Sequence, residues 1–163
     1  MSPDIAIHLE RPDQPEVITL LDALDHYLAS LYAPEDNHIL DVQALLAPGV
    51  RFMVARLNGQ AVGCGAVRLM AGEPATAGRP YGEIKRMYVA PAQRGQRVAE
   101  QLLLRLEQQL RDEGINLARL ETGGEQRQAL RLYERCGYTQ CAPFGGYPDN
   151  GLSLFYAKTL SLQ

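Results

Sequence analysis

YGEIKRMYVAPAQRGQRVA, residues 81–99, continuing through Glu100 into QLLLRLEQQL at 101–110, is the stretch whose reading decides the fold. A strand-like segment ends at Val89, and Pro91 stops it because proline brings no backbone N–H. A short loop then carries Arg94 and Gly95. The spacing predicts a helix over 95–113, with Val98, Leu102, Leu103, Leu106 and Leu110 on one side and Gly114 at its end. Strand, glycine turn and helix N-terminus together present backbone N–H groups that have no partner inside the helix. The helix dipole adds partial positive charge at the same place, so the segment is suited to an anion, and a diphosphate is the natural guest. Arg94 and Arg97 flank the turn and add charge-assisted donors. An ordinary strand–helix connection has the same outline. The familiar phosphate-loop patterns GxxxxGK[ST] and GxGxxG are absent.

Working outward, Asp4–Leu9 alternates like a strand. Val17, Leu20, Leu21, Leu24, Leu28 and Leu31 mark one face of a long helix, with Asp13 and Glu16 placed as a capping-box-like pair at its start. A break over 33–37 precedes a short helix at 39–46. Residues 51–57 and 60–69 read as strands joined by Asn58-Gly59, the strongest two-residue hairpin signal. Gly63 and Gly65 inside the second strand signal a bulge or a close backbone approach. AGEPATAGRP, residues 71–80, reads as a flexible surface loop. Strands follow at 82–89, 117–122, 138–141 and 152–158, with a helix at 126–136. No internal repeat is present. This order implies a mixed sheet with helices on both faces, in one domain spanning residues 1–163.

Composition bounds the function. The chain has 163 residues, 46% apolar and 21% charged, which is enough for a core without staples. A net charge of −3 offers no broad attraction to nucleic acid or an anionic membrane. No apolar run approaches the ~20 residues of a membrane helix, and MSPDIAIHLE lacks the form of a secretory leader. Cys64, Cys136 and Cys141 show no ligand spacing, and an odd, sparse count fits a reducing cytoplasm. The three histidines converge on no motif, so no metal site is expected.

Two motifs carry a family resemblance. Arg94-Gly95-Gln96-Arg97-Val98-Ala99 resembles [QR]-x-x-G-x-[GA], motif A of the GNAT superfamily of acetyl-CoA-dependent N-acetyltransferases, with Arg97 where the pattern has its central glycine. EQRQALRLYERCGY, residues 125–138, resembles the later N-x-x-A-x-x-[LF]-Y-[EK]-x-x-G-[FY]. Ala129, Leu132, Tyr133, Glu134, Gly137 and Tyr138 match in register, and Gln126 stands in place of asparagine. The resemblance runs from about Arg51 onward and is nearest to a bacterial subgroup of small-molecule type. It implies a single-domain α/β fold with a mostly antiparallel sheet. It also implies acetyl-CoA as co-substrate, held by the backbone of Met87, Tyr88 and Val89, by the loop Arg94, Gly95, Gln96, Arg97, Val98, Ala99 and Glu100, and by Gln126. The expected partner is a small-molecule amine, and the resemblance leaves room for a homodimer.

The resemblance also points to catalytic groups. Glu83, Lys85 and Arg86 stand in a strand that helices on both faces should make apolar. They are either ion-paired or at the border of a cleft. In a cleft, Glu83 would accept the proton of the attacking amine, directly or through water. Glu121, Asp149 and a backbone-held water are the other candidates. Tyr133, at the LYE position, implies a proton donor to the departing sulfur, and its alternative role is packing. Arg79, Lys85 and Arg86 are candidates for an acceptor carboxylate, and Tyr81, Tyr88, Phe144 and Tyr147 for the pocket wall. The leading expectation is N-acetylation of a small primary amine by direct transfer. Protein lysine or N-terminal acetylation, or CoA binding without turnover, are the competitors.

Overall fold

The computed structural model describes residues 4–161. Strands β1 (Ile5–Leu9), β2 (Val50–Leu57), β3 (Gln60–Met70), β4 (Tyr81–Val89), β5 (Leu117–Gly123), β6 (Thr139–Gln140) and β7 (Ser153–Thr159) hydrogen-bond in the order β1-β2-β3-β4-β5-β7-β6. The helices are α1 (Pro15–Leu31), α2 (Val42–Leu45), α3 (Val98–Asp112) and α4 (Arg127–Arg135). The sheet is mixed and mostly antiparallel, as expected, with β4 and β5 parallel. Among the described residues no helix is long and apolar enough to cross a membrane.

The chain resolves into two compact units. One holds residues up to Val67 with Lys85–Leu106, and the other holds Arg68–Ile84 with the residues from Glu107 onward. In the first unit, Val17, Leu20 and Leu21 of α1 pack with Leu45 on Phe52, Val54, Cys64 and Ala66. Residues alternate across a strand, so Gly63 and Gly65 face the other way, toward α3. A Cβ on Gly63 would lie 3.2 Å from Leu102 Cδ1, and one on Gly65 2.5 Å from Met87 Sδ and 3.1 Å from Leu106 Cδ1. The two glycines therefore mark close approach, and they let α3 sit on the sheet face opposite α1. Val98, Leu102, Leu103, Leu106 and Leu110 are all buried, as their spacing predicted. Each such burial stabilises by roughly 1.5–3 kcal/mol. Asn58 and Gly59 both take positive φ, as a tight hairpin turn requires.

In the second unit, Tyr81, Leu117, Phe144 and Phe155 form the core. Glu107 of α3 is completely buried, yet it accepts hydrogen bonds from Tyr138 Oη at 2.9 Å and Lys158 Nζ at 2.8 Å. A buried carboxylate survives only with such partners.

Four local expectations need correction. The long helix starts at Val98 rather than Gly95, because Gly95 (φ 83°) and Arg97 (φ 62°) are left-handed and cannot continue a right-handed helix. Asp13 does not cap α1. The N-cap is Gln14, and Asp13 instead accepts a bidentate pair from Arg11. The short helix at 39–46 contracts to α2, whose N-cap Asp41 accepts from Ala44 N at 2.8 Å. The segment 71–80 is a built turn around Pro74–Thr76. Thr76 is buried, and Glu73 accepts from Tyr81 Oη and from Gly145 N, both at 2.8 Å.

Candidate active site

Strand β4 carries the charged residues Glu83, Lys85 and Arg86. Its charged row is paired. Arg86 binds Asp25 of α1, Lys85 Nζ donates to the His38 carbonyl at 3.2 Å, and Arg68 Nη2 meets Glu83 Oε1 at 2.8 Å. The backbone of Arg86 is left-handed (φ 59°), which interrupts the pleat. The consecutive side chains of Lys85 and Arg86 can therefore both reach the α1 side. Arg86 and Lys85 are thus committed to internal partners, and Arg79 donates to Asn116 Oδ1 at 2.8 Å. The expectation that these three residues hold an acceptor carboxylate meets a structure in which each already has protein partners.

In the first unit, the turn after β4 is exposed from Arg94 to Arg97, and burial resumes at Val98. Gly95 and Arg97 are both left-handed just before a 15-residue helix, and a Cβ on Gly95 would meet nothing within 4 Å. The left-handed residues turn the chain sharply into α3, and the helix N-terminus presents backbone N–H donors there. Arg97 keeps the left-handed backbone that glycine would adopt, so the substitution leaves the turn intact. Arg94 Nε donates to the Val89 carbonyl at 3.2 Å, and its guanidinium lies 5.6 Å from the Tyr88 ring centroid. Of the expected residues, Tyr88 and Val89 end β4, Arg94, Gly95, Gln96 and Arg97 form the exposed turn, and Val98, Ala99 and Glu100 begin α3, with Val89 and Val98 buried. Met87 lies against Gly65. These residues suit a diphosphate by the chemistry of their donors.

In the second unit, Glu83 is 1% exposed. Besides Arg68 it accepts a hydrogen bond from Tyr147 Oη. Burial first, and the Glu83 carboxylate second, push the Tyr147 phenol far up, which keeps its proton available for that bond. Tyr147 belongs to an aromatic cluster with Tyr81, Phe144 and Phe155, in which the Tyr81–Phe144 and Phe144–Phe155 pairs are edge-on with centroids 5.5 Å and 5.6 Å apart. Tyr88, grouped with these aromatics at the outset, packs instead beside the α1 core. Glu121 accepts from Ser153 Oγ at 2.6 Å, and Asp149 is exposed. Tyr133 on α4 is buried, with its ring 5.9 Å from that of Tyr138, and burial pushes its phenol well up. Gln126 occupies the N-cap of α4 without a side-chain capping bond.

Sequence reasoning missed Arg68 and the pairing role of Tyr147. Arg68 and Tyr147 lie 15 and 64 residues from Glu83, and no local pattern announces either contact. Among the described residues Cys64, Cys136 and Cys141 form no disulfide, and the last two are partly buried. Among the described residues no group of three or more His, Cys, Asp or Glu is gathered for a metal ion.

The model of the acetyltransferase (GNAT) family matches residues 17–138. The chain belongs to the GNAT family. This acetyltransferase is 43% identical over 158 residues to the "IAA acetyltransferase" of Azospirillum brasilense, covering 97% of this chain and 99% of that protein. It is 36% identical over 96 residues to the aminoalkylphosphonate N-acetyltransferase of Salmonella typhimurium, covering 59% and 61% of the two. Among solved structures, a candidate acyl-CoA N-acyltransferase from Klebsiella pneumoniae superposes with a TM-score of 0.77 at 36% identity, over 96% of this chain and 98% of that one. The GNAT protein is an acetyl-CoA-dependent acyltransferase with acetyl-CoA as co-substrate.

Proposed function

We propose that the protein transfers the acetyl group of acetyl-CoA to the primary amine of a small molecule, by direct attack on the thioester, in one N-acetyltransferase domain spanning 1–163. The observation that carries this reading is Glu83, a buried carboxylate on the central strand held by a guanidinium and a phenol. An amine must lose a proton as its nitrogen bonds to the acyl carbon, and a positioned carboxylate accepts that proton, directly or through one water. As the C–N bond forms the C–S bond breaks, and Tyr133 donates a proton or hydrogen bond to the leaving sulfur. Burial holds that phenol in its protonated form, which is the form a donor needs. Acetyl-CoA supplies the activated acyl carbon and the thiol leaving group. The backbone N–H groups of 95–100 and the Arg94 charge hold its diphosphate. Main-chain groups of Met87, Tyr88 and Val89 hold its arm, and the Gln126 amide adds a polar contact.

The name of the Salmonella relative supports a small acceptor rather than a protein. Three cysteines outside any disulfide support work in the cytoplasm. Thiol release from acetyl-CoA across a panel of small amines and peptides tests the reading. Release driven by small amines is expected. Release driven by peptides alone, or by nothing, overturns it.

A further inference from the structure

Two arginines on the face that carries Glu83 are incompletely satisfied. The Nε atoms of Arg68 and Arg119 are buried and have no hydrogen-bond partner. A buried guanidinium N–H without an acceptor is costly, and such donors are the ones an anion rewards. Arg68 lies against Glu83 through Nη2 at 2.8 Å. Arg119 is the register partner of Glu83 across the parallel β4–β5 pair, so both side chains leave the same face of the sheet. The Arg119 guanidinium is steadied 5.5 Å over the Phe144 ring. Its neighbour two residues on, Glu121, accepts from Ser153 Oγ. From β3 to β5 the face therefore reads arginine, glutamate, arginine, with the Tyr147 hydroxyl on the glutamate. A site for a plain amine needs only the carboxylate.

We propose that the acceptor is a short zwitterion, a primary amine bearing a carboxylate or phosphonate that docks on Arg119 with help from Arg68. This deepens, and rests on, the reading of Glu83 as the group that receives the amine. Neighbouring strands lie about 4.8 Å apart, which sets the separation between the amine drawn to Glu83 and the anion drawn to Arg119. Two or three bonds between the groups span that distance, as in an α- or β-amino acid or its phosphonic analogue.

The test has three arms. Wild-type protein is assayed with matched acceptors differing only in the anion: β-alanine against its amide, and 2-aminoethylphosphonate against its neutral diester. The anionic member is expected to show kcat/KM higher by about tenfold to a hundredfold, the range of a charged hydrogen bond. Whichever anion gains more tells carboxylate from phosphonate. In Arg119→Gln the preference should collapse through KM, and Arg119→Lys should restore part of it. The third arm needs no turnover: propionate and propylphosphonate, which lack the amine, should raise the melting temperature of the wild type and not of Arg119→Gln. Arg119-dependent anion binding without any amine acetylation would sink the amine reading and leave the anion site standing. Equal use of neutral and anionic amines by the wild type, or equal anion stabilisation of both proteins, overturns the proposal.

Discussion

The turn at 94–100 and the cluster around Glu83, to which the proposed reaction gives two different tasks, are built by opposite means. The turn works through backbone: left-handed Gly95 and Arg97, an exposed loop and the start of α3. Apart from the Arg94 charge, its side chains are expected to matter little provided φ is kept. The Glu83 cluster works through side chains gathered from β3, β4, β5 and the 144–147 loop. There a single changed atom alters the chemistry. Damage to the turn should therefore appear in acetyl-CoA affinity, and damage to the cluster in turnover or acceptor choice.

The largest effect is expected at Tyr133. Tyr133→Phe should lower turnover on the order of 10²–10⁴-fold, with acetyl-CoA affinity nearly intact. Single-turnover rates beside a direct binding titration separate the two quantities. A variant with wild-type turnover would return Tyr133 to packing against Tyr138.

Next comes Gly95. At φ 83° a β-branched side chain is strained by about 1–3 kcal/mol, so Gly95→Val should weaken acetyl-CoA binding by roughly tenfold or more. Gln96→Ala should hardly matter. Acetyl-CoA titrations followed by heat shift read both, because a ligand that binds only the folded state stabilises it by an amount that grows with the logarithm of its concentration over Kd. If Gln96→Ala proved the worse of the two, the turn would be a side-chain site after all.

Arg97 sharpens the same point with a gain. A left-handed non-glycine costs about 1–2 kcal/mol, part of which glycine returns as lost chain entropy. Arg97→Gly should therefore stabilise by about 0.5–1 kcal/mol, a melting-temperature rise of about 2 °C, with acetyl-CoA binding retained. Loss of binding would show that the guanidinium, not only the backbone, contributes.

These cases show what was legible in the sequence and what was not. Hydrophobic spacing gave α3 its buried face, and Asn58-Gly59 gave the hairpin, because those signals are local. The turn was legible because glycine and proline punctuate it. The start of α3 was misplaced because nothing in the letters says that an arginine at 97 is left-handed. The charged row in β4 announced its importance, yet its partners did not. Asp25, Arg68 and Tyr147 come from far along the chain, and only folding brings them to the strand. The 71–80 segment read as loose because its composition is that of a loop, whereas Glu73 and Thr76 tie it down through contacts that composition cannot carry.

The effect that is smallest at neutral pH, and appears only in alkali, concerns Cys64, beneath the Arg86 carbonyl. Burial pushes its thiol from an ordinary 9.0 up to about 12. Above pH 9 the unfolded thiol loses its proton while the buried one keeps it. Stability should thus fall with rising pH between about 9 and 12, by up to about 1.4 kcal/mol per pH unit from this group. In native protein at pH 8, thiol reagents should leave Cys64 unmodified. Rapid labelling would mean that the backbone-built region opens readily.

The contrast between the two regions is tested most directly by measuring acetyl-CoA affinity and amine-dependent thiol release side by side for Glu83→Gln and Gly95→Val. The account predicts that Glu83→Gln binds acetyl-CoA as the wild type does and releases thiol on the order of 10²-fold more slowly. It predicts that Gly95→Val loses affinity and recovers most of its rate at saturating acetyl-CoA. Full activity in Glu83→Gln, or unchanged affinity in Gly95→Val, would contradict it.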